Sequence, residues 1–120
     1  MPATNHNHPI LVVEDDQAAL AAMCEILRQE GYDVIAADNG HKGLEYLLND
    51  SPPCVIVLDL VMRGMDGWEF RNCLRQNPKL ARIPVVVVSG SLKTAPSDVA
   101  ASFQKPINVA AFLDTIAECC

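Results

Sequence analysis

The segment CVIVLD, residues 54–59, consists of five apolar residues followed by a carboxylate, and it predicts a buried strand that ends at Asp59. A similar apolar run at residues 10–13 is followed by Glu14 and Asp15. Uninterrupted apolar runs are typical of parallel strands that helices cover on both faces. Ligands bind at the carboxyl ends of such strands, so we expect the three carboxylates to share one edge of a sheet.

Outside these two segments, apolar runs alternate with helical patterns. Further strands are predicted at residues 33–37 and 83–88, with a short one around Phe103. Four helices are indicated by apolar residues at helical spacing, with Gly31 as a stop after the first, Asp66 as the N-cap of the third and Asn108 opening the last. Their apolar positions are Leu20, Met23, Cys24 and Leu27; Leu44, Leu47 and Leu48; Phe70, Cys73 and Leu74; and Val109, Phe112, Leu113 and Ile116.

This alternation predicts an α/β fold. Five parallel strands with right-handed crossovers form a doubly wound, flavodoxin-like sheet of order 2-1-3-4-5, whose switch point lies between the first and third strands. Both acidic segments converge there. Residues 89–106 are the least regular part, and we expect at most a short helix from Ser97. We interpret residues 1–8 as a flexible tail and residues 9–120 as the single domain.

Composition excludes several function classes. Nine basic against fifteen acidic residues argue against direct nucleic-acid binding. No apolar run approaches the roughly 20 residues of a membrane span, and the polar start lacks a secretory signal, so we expect no membrane association and a cytoplasmic location. His6 and His8 have no third ligand nearby and are expected to belong to the solvated tail.

The five cysteines show no metal-ligand spacing. Cys24, Cys54 and Cys73 lie in apolar stretches and are predicted to be buried core residues. Cys119 and Cys120 are adjacent at the chain end, where fraying would expose them to oxidation or to intermolecular disulfide formation.

The predicted site suits a divalent cation. Mutual repulsion among Glu14, Asp15 and Asp59 would be relieved by a hard cation, and Mg²⁺ fits best because it takes one or two carboxylates and retains water molecules. The backbone carbonyl of Val61 is a further candidate ligand. Ser89 ends the fourth strand and Lys105 follows the fifth, so a hydroxyl and an ammonium group would complete a phosphoryl-binding site.

These motifs together resemble the receiver domain of two-component response regulators. They are VVED at residues 12–15, LD at 58–59 with MDG at 65–67, SG at 89–90 and KP at 105–106. The resemblance implies Mg²⁺-dependent phosphorylation of Asp59 by a histidine kinase or phosphotransfer protein, followed by altered binding to a downstream protein target. It implies that Asp15 binds the metal directly and Glu14 through water, and that the domain turns over no external substrate beyond the donor. Asp16 is a helix-capping candidate.

The sequence departs from the family pattern at three places. The segment joining Ser89 to Lys105 is short, which predicts a reduced fourth-helix region. Counting back from Lys105 places Ser102 where many relatives have a switch aromatic residue. Arg63 occupies a loop position where relatives commonly have proline, and it adds a positive charge near the site.

Three other functions fit parts of the sequence. A degenerate receiver would bind partners without phosphorylation. An aspartyl phosphatase of the haloacid-dehalogenase type resembles this site but needs a second acid two residues after its nucleophile, where Val61 stands. A flavin carrier shares the fold, but the acidic residues after the first strand would repel a phosphate group.

Overall fold

A computed structural model describes residues 8–92 and 95–120, so residues 1–7 of the tail predicted at residues 1–8, including His6, lie outside the described residues. Within the described residues, five strands and four α-helices alternate, except that no α-helix separates the fourth strand from the fifth. The strands are β1 Ile10–Val13, β2 Val34–Ala37, β3 Val55–Leu58, β4 Val85–Ser89 and β5 Ala101–Gln104. The helices are α1 Gln17–Gln29, α2 Gly40–Asn49, α3 Gly67–Arg75 and α4 Val109–Cys119, with a short 3₁₀ helix at Leu80–Arg82.

All strand pairs are parallel, and the sheet order β2-β1-β3-β4-β5 confirms the predicted doubly wound topology. Val13 is in register with Leu58, so β1 and β3 end at the same level of the sheet. Ser89 is likewise in register with Gln104. The residues that follow these strands therefore lie along one edge.

The sheet has an apolar core on each face because successive side chains of a strand point to opposite sides. Leu11 and Val13 belong to the cluster beneath α2 and α3, whereas Ile10 and Val12 belong to the cluster beneath α1 and α4. Phe70 of α3 and Phe112 of α4 are the largest fully buried side chains of the two clusters. This two-sided burial explains why the strands lack polar alternation.

Three helices have N-terminal side-chain caps at the residues that the sequence predicts. Asp16 accepts a hydrogen bond from the amide of Ala19 at 2.9 Å and so caps α1. Asp66 and Glu69 form a reciprocal capping box at the start of α3. Asn108 caps α4 through the amide of Ala111. Gly31 follows α1 with a positive φ of 92°, a conformation that glycine adopts without steric cost.

The connection from β4 to β5 forms no α-helix within its described residues, 90–92 and 95–100. The predicted irregularity of this segment is confirmed. Leu92, Ala95 and Val99 pack instead against the core cluster beneath α2 and α3. A loop therefore covers part of the sheet that a longer connection could cover with a helix.

Some sequence predictions were wrong in detail. Cys54 is not a free core thiol but forms a disulfide with Cys120, with their Cα atoms 5.3 Å apart. The chain end does not fray, because α4 continues to Cys119 and the disulfide attaches the last residue to the start of β3. Cys24 is buried as predicted, while Cys73 is only partly buried.

Two apolar residues that mark the predicted helices are exposed. Leu48 of α2 is 65% exposed and Val109 of α4 is 41% exposed. Both helices bury a narrower stripe than the sequence pattern indicates. Within the part of the chain that the structure describes, no helix is both long and apolar enough to cross a membrane.

Candidate functional site

The predicted site residues meet at the carboxyl edge of the sheet. The amide of Asp59 donates to the carbonyl of Val13 at 3.1 Å, which holds the end of β3 beside the end of β1. The amide of Lys105 donates to the carbonyl of Ser89 at 2.8 Å, which joins the other two strand ends in the same way. Backbone pairing thus brings together residues that are far apart in sequence.

An acidic cluster forms the centre of the site. One carboxylate oxygen from each of Glu14, Asp15 and Asp59 lies within 4.8 Å of the other two. Glu14 is 6% exposed and Asp59 is 8% exposed. Buried carboxylates so close together are costly unless a cation or a proton compensates their charge.

The acidic cluster and its burial change the pKa of Asp59. Burial, followed by the negative charge of Glu14, raises the pKa of Asp59 from 3.8 to about 6. The positive charge of Lys105 opposes this rise. Asp59 is therefore mostly ionised at neutral pH, but its charged form is poorly compensated.

Lys105 lies against Glu14. Its Nζ donates to Oε1 of Glu14 at 2.6 Å, and Oε2 of Glu14 accepts from the amide of Asp16 at 3.1 Å. Burial lowers the pKa of Lys105, but the hydrogen bond to Glu14 and the charge of Asp59 outweigh that effect, so the net pKa is raised. The lysine is thus a stable ammonium ion.

Ser89 is the clearest unsatisfied group at this edge. Its side chain is fully buried, and its Oγ has no hydrogen-bond partner among the described residues. Buried hydroxyl groups nearly always have a partner, because leaving one without costs about 1–3 kcal/mol. A hydroxyl left available at the end of β4 suits a ligand that brings its own hydrogen-bonding atoms.

Arg63 makes a contact that sequence reasoning did not predict. Its backbone N–H donates to Oδ2 of Asp15 at 3.0 Å, and its Nε lies 3.4 Å from the same oxygen. The backbone hydrogen bond from Arg63 is the main reason why the pKa of Asp15 is lowered. The available signal was the absence of proline at position 63, because proline has no N–H to donate.

The loop after Asp59 packs closely on the start of α3. A Cβ atom added to Gly67 would lie 2.6 Å from Cα of Leu60 and 2.7 Å from the carbonyl oxygen of Asp59. Only glycine allows this approach. Val61 lies in the same loop, two residues after Asp59. The residue is 66% exposed, and its amide nitrogen lies 3.5 Å from Oδ1 of Asp59.

Ser102, placed at the switch position by sequence, is exposed on β5. The neighbouring Phe103 is on the opposite face of the strand and packs edge-on against Phe112, with ring centroids 5.6 Å apart. An aromatic side chain on β5 thus belongs to the core beneath α4.

The donor set fits a hard divalent cation. Three carboxylates, two of them buried, face one ammonium ion, which leaves the group two charges negative before Arg63 is counted. Oxygen ligands with excess negative charge are what Mg²⁺ prefers. The acidic cluster could therefore bind a metal.

The fold and this strand-end arrangement define a receiver module of signal transduction. The sequence model of the response regulator receiver domain matches residues 10–114. The chain belongs to this family.

Curated relatives include protein PilH of Pseudomonas aeruginosa, which is 30% identical over 67% of this chain and 65% of its own length. Another is the two-component response regulator ORR11 of Oryza sativa, which is 34% identical over 67% of this chain and 54% of its own length. The matched region thus spans between half and two thirds of these two relatives. Among solved structures, a response regulator receiver protein from Pseudomonas putida has a TM-score of 0.87 and 21% identity, covering 96% of this chain and 99% of its own.

Proposed function

We propose that this domain accepts a phosphoryl group on Asp59 from a histidine kinase or histidine phosphotransfer protein. The convergence of Glu14, Asp15 and Asp59 within 4.8 Å carries the proposal, because such a cluster suits a metal-assisted transfer to one of its own carboxylates. The family of the chain supports the same chemistry.

Each site residue has a role in this proposal. Asp15 and Asp59 would bind Mg²⁺ directly, with the backbone carbonyl of Val61, and Glu14 would bind it through water. When bound, the ion would neutralise charge on the carboxylates and on the phosphoryl oxygens. Ser89 and Lys105 would donate to phosphoryl oxygens that the transfer brings to this edge.

The transfer needs no general base. A carboxylate oxygen of Asp59 attacks phosphorus in line, an O–P bond forms, and the P–N bond to the donor imidazole breaks. The imidazole keeps the electron pair of that bond and takes a proton. Water later hydrolyses the acyl phosphate. The domain would thus catalyse only its own phosphorylation and dephosphorylation.

The signal would be a change in binding to a downstream protein target in the cytoplasm. The phosphoryl dianion replaces the single charge of Asp59, so the site becomes about one charge more negative. Lys105 can respond because its present partner is Glu14, and a move toward the phosphoryl group would pull on the loop after β5. Nucleic acid and membrane are not proposed as direct partners.

The mass of the intact protein tests the proposal after incubation with Mg²⁺ and acetyl phosphate. We expect one phosphoryl adduct that disappears in Asp59→Asn and when EDTA replaces Mg²⁺. An adduct that survives in Asp59→Asn would place the acceptor elsewhere.

A second candidate is a receiver that binds partners without phosphorylation. The absence of an α-helix between β4 and β5 in the described residues favours it, because the surface there differs from that of a receiver with a full helix. Calorimetric binding of Mg²⁺ without any adduct would support this candidate over the first.

A further inference from the structure

A basic pocket lies at the amino edge of the sheet, away from Asp59. It has a volume of about 190 Å³ and lies between α3, the 3₁₀ helix, the start of β4 and the loop before β5. We define the basic pocket by its charged lining residues, which are Arg71, Arg75, Arg82 and Asp98.

The basic pocket and the acidic site lie at opposite ends of β4. Val85 lines the pocket at the first residue of the strand, whereas Ser89 stands at the last. Four residue steps along a strand correspond to roughly 13 Å. The pocket is thus a separate feature that phosphorylation chemistry does not explain.

The charge of this region is opposite to that of the whole chain. Residues 71–82 contain three arginines and one lysine and no acidic residue, although the formal net charge of the chain is −6. The acidic balance of the whole chain conceals this basic segment. In the fold, the three arginines surround one cavity instead of spreading over the surface.

One internal carboxylate already occupies part of the pocket. Asp98 forms an ion pair with Arg71, whose Nη2 also donates to the Asp98 carbonyl at 3.3 Å. Arg75 reaches the same carboxylate at 3.8 Å. Arg82 is exposed and forms no ion pair with another described residue. Two guanidinium groups therefore share one carboxylate, and the guanidinium group of Arg82 is not paired with it.

The pocket combines this charge with an apolar floor. Leu74, Leu80, Ile83 and Val85 line it and are buried. Guanidinium groups bind carboxylates through paired hydrogen bonds, and apolar walls favour the aliphatic part of a side chain. The ion pairs of Arg71 and Arg75 with Asp98 show that these two arginines bind a carboxylate. The negative charge of the whole chain disfavours a long polyanion such as nucleic acid.

We propose that the basic pocket is a docking site for an acidic segment of a partner protein. A carboxylate of that segment binds Arg75 and Arg82, and its apolar neighbours contact the floor. Asp98 acts as an internal competitor, because it lies on a non-helical segment and is 55% exposed. This docking does not depend on phosphorylation of Asp59.

The test uses an acetylated and amidated eight-residue peptide of alternating glutamate and leucine. Its binding to ¹⁵N-labelled protein is followed by amide chemical shifts, with inorganic phosphate and oligothymidine as parallel probes. We expect the shifts to concentrate on α3, the 3₁₀ helix and residues 98–100. A peptide with glutamine in place of glutamate should bind at least tenfold more weakly, since it lacks charge-assisted hydrogen bonds.

Substitutions of single charged residues test which side chains bind the peptide. Arg75→Gln and Arg82→Gln should each weaken peptide binding by about fivefold to tenfold. Lys42→Gln removes the same charge from an exposed residue on α2, far from the pocket, and should leave affinity within about twofold. Asp98→Asn should strengthen binding severalfold, an effect that a purely structural role for Asp98 would not produce. The amide spectrum of each variant verifies its fold.

Four results would overturn the proposal. They are failure of the glutamate peptide to bind, equal binding of the glutamine peptide, equal affinities of the arginine and Lys42 variants, and tighter binding of phosphate or oligothymidine than of the peptide at this pocket.

Discussion

Lys105 Nζ lies 2.6 Å from Oε1 of Glu14, so the ammonium ion at this edge of the sheet pairs with one carboxylate of the acidic cluster. This pairing neutralises a carboxylate that is only 6% exposed. The pKa of Asp59 stays raised, because burial and then the charge of Glu14 outweigh the opposing charge of Lys105.

Lys105→Gln should strengthen Mg²⁺ binding and slow phosphorylation. The substitution removes one positive charge beside the three carboxylates, which we expect to raise Mg²⁺ affinity by about tenfold. Phosphorylation by acetyl phosphate should slow at least tenfold, because a donor to the phosphoryl oxygens is lost. Calorimetric titration and adduct formation over time measure the two effects. Weaker Mg²⁺ binding would contradict the assigned pairing.

Arg63→Gln should strengthen Mg²⁺ binding more modestly. The guanidinium contacts Asp15 at 3.4 Å but is 92% exposed, so water screens most of its effect. We expect an increase in affinity of up to about fivefold, with the backbone hydrogen bond to Asp15 retained. Lys42→Gln serves as the charge-matched control in the same titration. A larger gain in Mg²⁺ affinity for Arg63→Gln than for Lys105→Gln would contradict this prediction, because the more exposed charge should have the smaller effect.

Stability without Mg²⁺ should depend on the ionisation of Asp59. The folded-state pKa of about 6 exceeds the ordinary 3.8, so the unfolded chain releases its proton first as pH rises. Folding stability is thus lost between about pH 4 and pH 6, by up to about 3 kcal/mol, and the deficit persists above that range.

Asp59→Asn should therefore be more stable than the wild type at about pH 7.5 in EDTA, by about 1–3 kcal/mol, and similar to it at about pH 4. Urea unfolding at both pH values measures this difference. An equal difference at the two pH values would show that ionisation is not its cause.

Reduction of the Cys54–Cys120 disulfide should destabilise the fold. The bond joins residues 66 positions apart, and closing a loop of that size in the unfolded chain corresponds to about 4 kcal/mol in the entropy model. Urea unfolding with and without reductant should show a loss of up to this amount. Cys120→Ser should match the reduced protein, while Cys119→Ser should unfold like the wild type.

A thiol titration of the denatured protein provides an independent check on the disulfide. The oxidised chain should contain three reactive thiols, those of Cys24, Cys73 and Cys119. Five reactive thiols before any reductant is added would show that the bond does not form in solution.

Gly67→Ala should disturb both stability and phosphorylation, in contrast to Gly90→Ala. The new methyl group at Gly67 would meet the backbone at 2.6 Å and push α3 away from the loop after Asp59, whereas a Cβ at Gly90 has nothing within 4 Å. We expect a loss of about 1–3 kcal/mol for Gly67→Ala. Thermal unfolding should show a lower stability for Gly67→Ala than for Gly90→Ala, and adduct formation with acetyl phosphate should be slower in Gly67→Ala. Equal behaviour of the two variants would contradict the close packing.

The sequence alone was enough to predict the sheet order, the helix caps at Asp66 and Asn108, and the edge that carries Asp59. The strands, their ends and the helix caps follow from local signals, because apolar runs and capping residues are read within a few neighbouring residues. The sheet order follows from the general rule for right-handed crossovers between parallel strands. The roles of Ser89, Lys105, Glu14, Asp15 and Val61 in phosphorylation remain predictions that the experiments above test.

Other features depended on tertiary structure. The Lys105–Glu14 pair, the Arg63–Asp15 contact, the Cys54–Cys120 disulfide and the basic pocket join residues from distant parts of the chain. No local pattern encodes such distances, since strand pairing and helix packing first bring the partners together. The sequence therefore determined which chemical groups reach each edge of the sheet, and the packed fold decided which of them pair and which stay available.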